Sequence, residues 1–184
     1  AENGTDPYKL RGLGDWIDSA GPSDVPSAYR TPAASIIGST LTESGMNDAL
    51  GSIFTKTGEM GSLTCVANVA LRKVIANFTR SEGSTTATPY VINEQAGSKK
   101  ITLSVSLFDS DFGVVKIVNA NPVCMPGAST NEGYILDPKY LACGTLIPMG
   151  AQALENQGGG ERGFVDCAMT LAVKSPLAHG KIAY

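Results

Sequence analysis

The clearest periodicity in the chain lies between residues 41 and 78. Met46, Leu50, Ile53 and Phe54 recur at the three-to-four-residue spacing that puts side chains on one face of a helix. Thr42 supplies a hydroxyl for the N-cap, and Gly58 and Gly61 mark the stop. "LTCVAN" (63–68) predicts a short buried strand, and Leu71, Val74, Ile75 and Phe78 repeat the helical spacing. Helix, glycine turn, strand, tight turn and helix form one compact α/β unit. Residues 81–98 are rich in Ser, Thr and Gly and predict a surface loop. "ITLSVSLF" (101–108) then alternates, with Ile101, Leu103, Val105 and Leu107 on one side and Thr and Ser on the other, as a half-buried strand requires.

Three more strands follow from the pattern. "VVKIV" (114–118) and "YLACGTLI" (140–147) are short, and "NQGGGERG" (156–163) is a flexible loop. In "FVDCAMTLAVK" (164–174), Val165, Cys167, Met169, Leu171 and Val173 alternate over nine positions, which makes this the longest strand expected, with Pro176 ending it. Residues 1–40 show little periodicity. "LRGLGDWID" is a short helix or turn carrying Trp16 and Ile17, and "GPSDVPSAYRTPAAS" is a Pro/Ser loop. Such a segment is expected to lie across another surface rather than fold alone. The fold class is α+β, with two short helices in the first half and antiparallel hairpins in the second, and neither a repeat nor a linker divides it.

Composition narrows the function classes. A chain of 184 residues with 42% hydrophobic content is long enough for a real core. Charged residues make up 17%, against roughly a quarter in ordinary globular domains, so the surface is either covered by partners or carried by Gly, Ser, Thr and Ala. The net charge is −3 and the Lys and Arg residues are scattered, which leaves no electrostatic footprint for sequence-specific nucleic-acid binding. No apolar run approaches the ~18–20 residues of a membrane span, and no signal peptide opens the chain. The first residue is Ala1 rather than Met, as in a processed product, an engineered boundary or a fragment. Cys65, Cys124, Cys143 and Cys167 are far apart, with no C-x-x-C and a single histidine, so zinc ligation is not expected. Four reduced thiols serving as small buried hydrophobes are expected instead.

The stretch least like generic protein is "FDSDFGVVKIVNANPVCMP" (108–126), where Asp109 and Asp111 flank Ser110. An EF-hand loop would need further oxygen ligands and a glutamate at its twelfth position, where apolar "VVKIV" stands. The "DFG" triplet lacks every other kinase signature. The reading that remains is a turn, with Gly113 at a position that favours positive φ. His179 is the only imidazole and falls in the tail after the last strand, where a solvated side chain or a contact with a segment outside this sequence is expected. "GGGERG" lacks the lysine and hydroxyl of a phosphate loop. Asn3 and Asn77 open N-x-T sequons, but Asn77 falls inside the second helix and no secretory context exists. No catalytic, cofactor-binding or metal-ligating residue is assigned, and no cofactor is implied.

In order along the chain, several segments resemble one family. "LTCVANVALRKVIANF" resembles the strand, Asn-containing turn and short helix of tailed-phage capsid proteins. "FGVVKIVNANPVCMPG" resembles the hairpin that follows, leading to Met-Pro and a glycine. "GYILDPKYLACGTLIPM" resembles the next strand pair, with Leu-Asp-Pro before a hydrophobic strand. "GGGERGFVDCAMTLAVKSPLAHGKI" resembles the closing loop, long strand and histidine-containing tail, and "LRGLGDWI" the segment just after a long spine helix. Together they cover most of residues 9–182.

The resemblance implies a major capsid, or major head, protein of the Hong-Kong-97-type fold. Residues 41–150 would be mostly axial domain, an antiparallel sheet flanked by two short helices. Residues 1–40 and 151–184 would belong to the peripheral domain. The family's N-terminal arm, extended loop and spine helix are not matched, so the chain would be the C-terminal portion of a longer head protein. Partners would be copies of itself in hexamers and pentamers, together with scaffold, portal or decoration proteins. The fragment alone would be monomeric or weakly oligomeric. Its place would be the virion, after assembly in the bacterial host cytoplasm, and loops such as 81–98 would line the symmetry axes. Alternatives of other classes are an encapsulin-like shell, a small-molecule-binding module with one large concave pocket, and an enzyme pairing a cysteine nucleophile with His179.

Overall fold

The computed structural model describes residues 11–21, 23–59, 61–76, 92–93, 100–101, 106–125, 130–155 and 158–184. Its elements are α1 (Leu13–Trp16), β1 (Ile36–Ile37), α2 (Glu43–Thr57), β2 (Leu63–Ala67), α3 (Val69–Ala76), β3 (Ile92–Asn93), β4 (Lys100–Ile101), β5 (Leu107–Ser110), β6 (Gly113–Asn119), β7 (Glu132–Leu136), β8 (Leu141–Leu154), β9 (Arg162–Val173) and β10 (Gly180–Ala183). Six strands form one sheet in the order β1-β10-β7-β2-β6-β5. Two pairs stand apart from it, β3 with β4 and β8 with β9.

The expected α/β unit is present. The Thr42 hydroxyl accepts from the Gly45 N–H at 3.0 Å, Glu43 and Lys56 complement the two ends of the α2 dipole, and Gly58 closes the helix at φ 72°. Gly61 has a different task from the stop expected of it. A Cβ there would collide with the Asp137 carboxylate, so the glycine admits a close approach. The buried face of α2 is Met46, Ala49, Leu50 and Ile53, while Phe54 sits at the margin, 41% exposed, with its ring 5.9 Å from Phe112. At the start of α3, buried Asn68 accepts from the Leu71 N–H at 2.9 Å and donates to the Thr130 carbonyl at 2.7 Å. One side chain therefore caps the helix and ties it to the segment leading into β7. Leu71 and Ile75 are buried; Asn77, Phe78 and Asn3 lie outside the described residues, and of the loop expected at 81–98 only 92–93 are described, as strand β3.

Leu63, Cys65 and Ala67 of β2 share one buried cluster with the α2 and α3 faces, Val115 and Ile117 of β6, Ile135 of β7 and Ile182 of β10. The opposite side of the sheet receives the N-terminal segment. Tyr134 and Lys181 are cross-strand partners there, so they project to one side. Gly14 packs against the Tyr134 hydroxyl, and Lys181 Nζ lies 3.0 Å from an Asp18 carboxylate oxygen. Ile17 is fully buried, and the Thr31 hydroxyl donates to the Pro176 carbonyl at 2.9 Å. The segment with the least periodicity is thus a cover for the sheet.

Several expectations need correction. The sheet is mixed rather than antiparallel, because β1 runs parallel to β10 and β2 parallel to β6. The long connection through α3 supplies the crossover that a parallel β2–β6 pair needs. The described parts of the 101–108 run fall in two separate strands, and residues 102–105 lie outside the described residues. Leu107 points outward at 60% exposure, whereas Phe108 packs on the core opposite buried Val115. The longest strand is β8, at 14 residues, and not β9, at 12.

Replacing Asn68 by Ala is expected to cost about 2 kcal/mol, since it removes the cap of a buried helix end and the side-chain tie to the Thr130 carbonyl. Thr42→Ala, at an exposed cap, should cost about half as much. Denaturant midpoints of the two variants test the order, and equal losses would contradict the bridging role of Asn68.

Candidate functional site

Each residue singled out for chemistry has a structural place. Asp109 ends in β5, Asp111 and Phe112 form the two-residue turn, and Gly113 begins β6 at φ 142°. The Ser110 hydroxyl closes the turn by donating to the Gly113 carbonyl at 2.9 Å. The turn borders an open groove of about 670 Å³ whose lining also includes Glu43, Ser44 and Asn47 from the start of α2. The three carboxylates do not converge: among the described residues, no group of three or more His, Cys, Asp or Glu side chains is placed to hold a metal ion. The acids shape a hairpin turn.

His179 is not in a solvated tail. It is fully buried, because the 3-10 turn Pro176–Ala178 folds the chain back and β10 then inserts between β1 and β7. Its Nδ1 accepts from the Asp137 N–H at 3.2 Å, which places the ring proton on Nε2. Nε2 has no hydrogen-bond partner among the described residues. Burial pushes the imidazole down to about 4, and the neighbouring Asp137 carboxylate offsets only part of that. A neutral, enclosed ring bonded to backbone is a piece of the core.

The cysteines divide. Cys65 is buried and its thiol is pushed up to about 12 by desolvation, so it stays protonated and unreactive. Cys143 and Cys124 are exposed and Cys167 is half-buried, which corrects the expectation of four buried hydrophobes. All four are free thiols. The glycines of "GGGERG" sit at the tip between β8 and β9, with Gly158, Gly159 and Gly160 at φ 81°, 130° and 122°, values suited to reversing the chain.

What distinguishes the surface is the β8–β9 hairpin. Its strands pair from Leu141–Val173 to Leu154–Arg162, and among the described residues the one other element they contact substantially is the 3-10 turn Pro138–Tyr140 at the base. Two irregularities in β8, between Thr145 and Ile147 and between Ile147 and Gly150, put extra residues opposite a regular β9. Half of the large exposed apolar side chains among the described residues lie here, including Leu146 at 86% and Met149 at 73%. Alternation over 164–174 signalled an apolar strand face. The pairing of that strand with 141–154 into a free-standing ribbon was not legible, because β8 carries no alternation of its own beyond Ile147. No helix among the described residues is long and apolar enough to cross a membrane.

The buried His179 makes a pH prediction. The unfolded chain binds a proton near the ordinary value of 6.5 and the folded chain only near 4, so stability is full above about 6.5 and falls as the pH drops towards 4. The slope should reach about 1.4 kcal/mol per pH unit inside that window. Chemical denaturation between pH 7 and 4 reads it, and in His179→Gln the extra slope should vanish.

A family model described as SU10 major capsid protein matches residues 1–184. Among curated proteins, none matches the chain.

Proposed function

The chain belongs to the SU10 major capsid protein family, and on that premise we propose how the subunit works as a tile. As a member it is a structural major capsid subunit of a phage and a component of the virion. Its work is self-assembly, and a structural shell subunit is in general not an enzyme. The finer reading is a Hong-Kong-97-type fold in which copies join as hexamers and pentamers, assembled in the host cytoplasm. Scaffold, portal or decoration proteins would engage the shell that these capsomers build. A mixed sheet carrying two helices, with a long hairpin projecting from it, supports that reading.

An axial part of about 41–150 and peripheral parts at 1–40 and 151–184 go with it. β1 and β10, which come from the two flanking segments, would be the strands that stitch those parts into one sheet with β7, β2 and β6. Shells of this kind are held by many modest interfaces, so each contact needs area and shape more than chemistry. Neutral buried His179, protonated Cys65 and a turn built from Asp109 and Asp111 are consistent with that economy of chemistry.

The observation that carries the reading is the family match over residues 1–184. Electron microscopy of the product of the whole gene tests it. Closed particles of uniform size are expected, and a product that stays as single subunits under all assembly conditions would remove the reading.

A further inference from the structure

Residues alternate along a strand, so the regular course of β9 places Val165, Cys167, Met169, Leu171 and Val173 on one face of the hairpin. Leu141 and Cys143 of β8 lie on the same face, directly across from Val173 and Leu171. This face carries no charge along its whole length. Arg162 and Asp166, the two charged residues among the 26 strand positions, both fall on the other face. Val165 is nevertheless 69% exposed and Met169 44% exposed. The sequence thus writes a core face that the subunit does not cover.

A two-stranded ribbon is marginal in water without something packed against it. A long uncharged edge left open is also a site of uncontrolled pairing. Both arguments require an occupant, and its size can be judged. A standard protein–protein interface takes about 20–30 residues from each side. One face of the hairpin presents about half of the 14 and 12 strand residues of β8 and β9, so it supplies a large part of such an interface rather than all of it. A shell supplies one kind of surface in abundance, that of other copies.

We propose that the charge-free face of the β8–β9 hairpin is an assembly interface, covered in the particle by a second copy of this chain. The inference rests on the reading of the protein as a shell subunit. Packing of the partner against Val165, Met169 and Leu171 withdraws these side chains from water, and the charged face with Arg162 and Asp166 stays wet. The irregularities in β8 between Thr145 and Gly150 bend the ribbon.

The native thiols report on this face. Particles of the whole gene product, and subunits released from them without denaturation, are treated with a polyethylene-glycol maleimide, and each cysteine is read by peptide mass spectrometry. Cys143 and Cys167 should react at least tenfold more slowly in particles than in released subunits, while buried Cys65 stays unlabelled in both. Equal rates in the two states overturn the proposal. Slow labelling in both also overturns it, since the cover then comes from within the subunit. Met169→Glu and Val165→Glu should lower particle yield at least tenfold without moving the subunit's unfolding midpoint, and normal yields would overturn the proposal independently. Particles that form with reactive hairpin thiols leave the shell reading standing and remove this interface alone. An unsubstituted protein that never forms particles removes the shell reading itself.

Discussion

Strand β2 is bonded along both edges, to β6 in parallel register from Leu63–Val115 to Ala67–Asn119 and to β7 in antiparallel register from Thr64–Leu136 to Ala67–Gly133. Because its backbone groups are satisfied on both sides, this five-residue strand can lie at the centre of the molecule without orphaned donors or acceptors. Its side chains do the complementary work: Leu63, Cys65 and Ala67 are all 2% exposed or less and belong to the same buried cluster as the faces of both helices. α2 enters β2 through Gly58 and Gly61, and α3 leaves it at once through Asn68. The two helices are therefore fixed on the sheet by the strand that lies between them in sequence. Crowding at the centre also limits side-chain size. Gly133 faces Leu71 so closely that a Cβ would come within 2.5 Å of its methyl group.

The ends of the chain close this arrangement from the other side. β10 joins the sheet beside β7, and β1 joins β10, so segments some 145 residues apart pair directly as Ile36–Lys181 and Ile37–Ile182. Around that junction the polar groups are matched by backbone. Thr31 bonds Pro176, Ser35 bonds Pro32 and approaches the His179 carbonyl, and His179 accepts from Asp137. Asp18 is held below the usual carboxylate range first by the Ala20 N–H and then by Lys181, so its charge is secured as well.

What the sequence made legible follows from locality. α2, α3 and the β5–β6 turn are defined by residues within 15 positions of each other, so periodicity and turn chemistry were enough to find them. β1 and β10 were hidden because they are only two and four residues long, and β7 because Gly133, Tyr134 and Ile135 are all enclosed and show no alternation. Gly133 and Gly180 permit close approach there; a Cβ on Gly180 would lie 2.9 Å from the Ser35 carbonyl oxygen. His179 was misjudged for the same reason, since its burial depends on pairing with strands far away in the chain. Leu107 shows that alternation fixes a period and not a phase. Opposite buried Val115 the sheet takes Phe108, and Leu107 is left in solvent.

The body and the hairpin answer opposite demands. In the body, the apolar faces of α2 and α3 pack on the sheet and both helices are capped within the subunit, and the His179 imidazole is kept neutral in the core. In β8 and β9 the pattern of a core face is equally regular, yet among the described residues no strand pairs with either outer edge, and Val165 and Met169 stay in water. The same alternation that forecasts burial in a single chain cannot say which chain provides the cover. For a subunit of a closed shell that ambiguity has a physical resolution. A surface that must be stable alone and adhesive in company is built by placing core-like side chains on a projection. A rigid body then holds the projection in place without covering it.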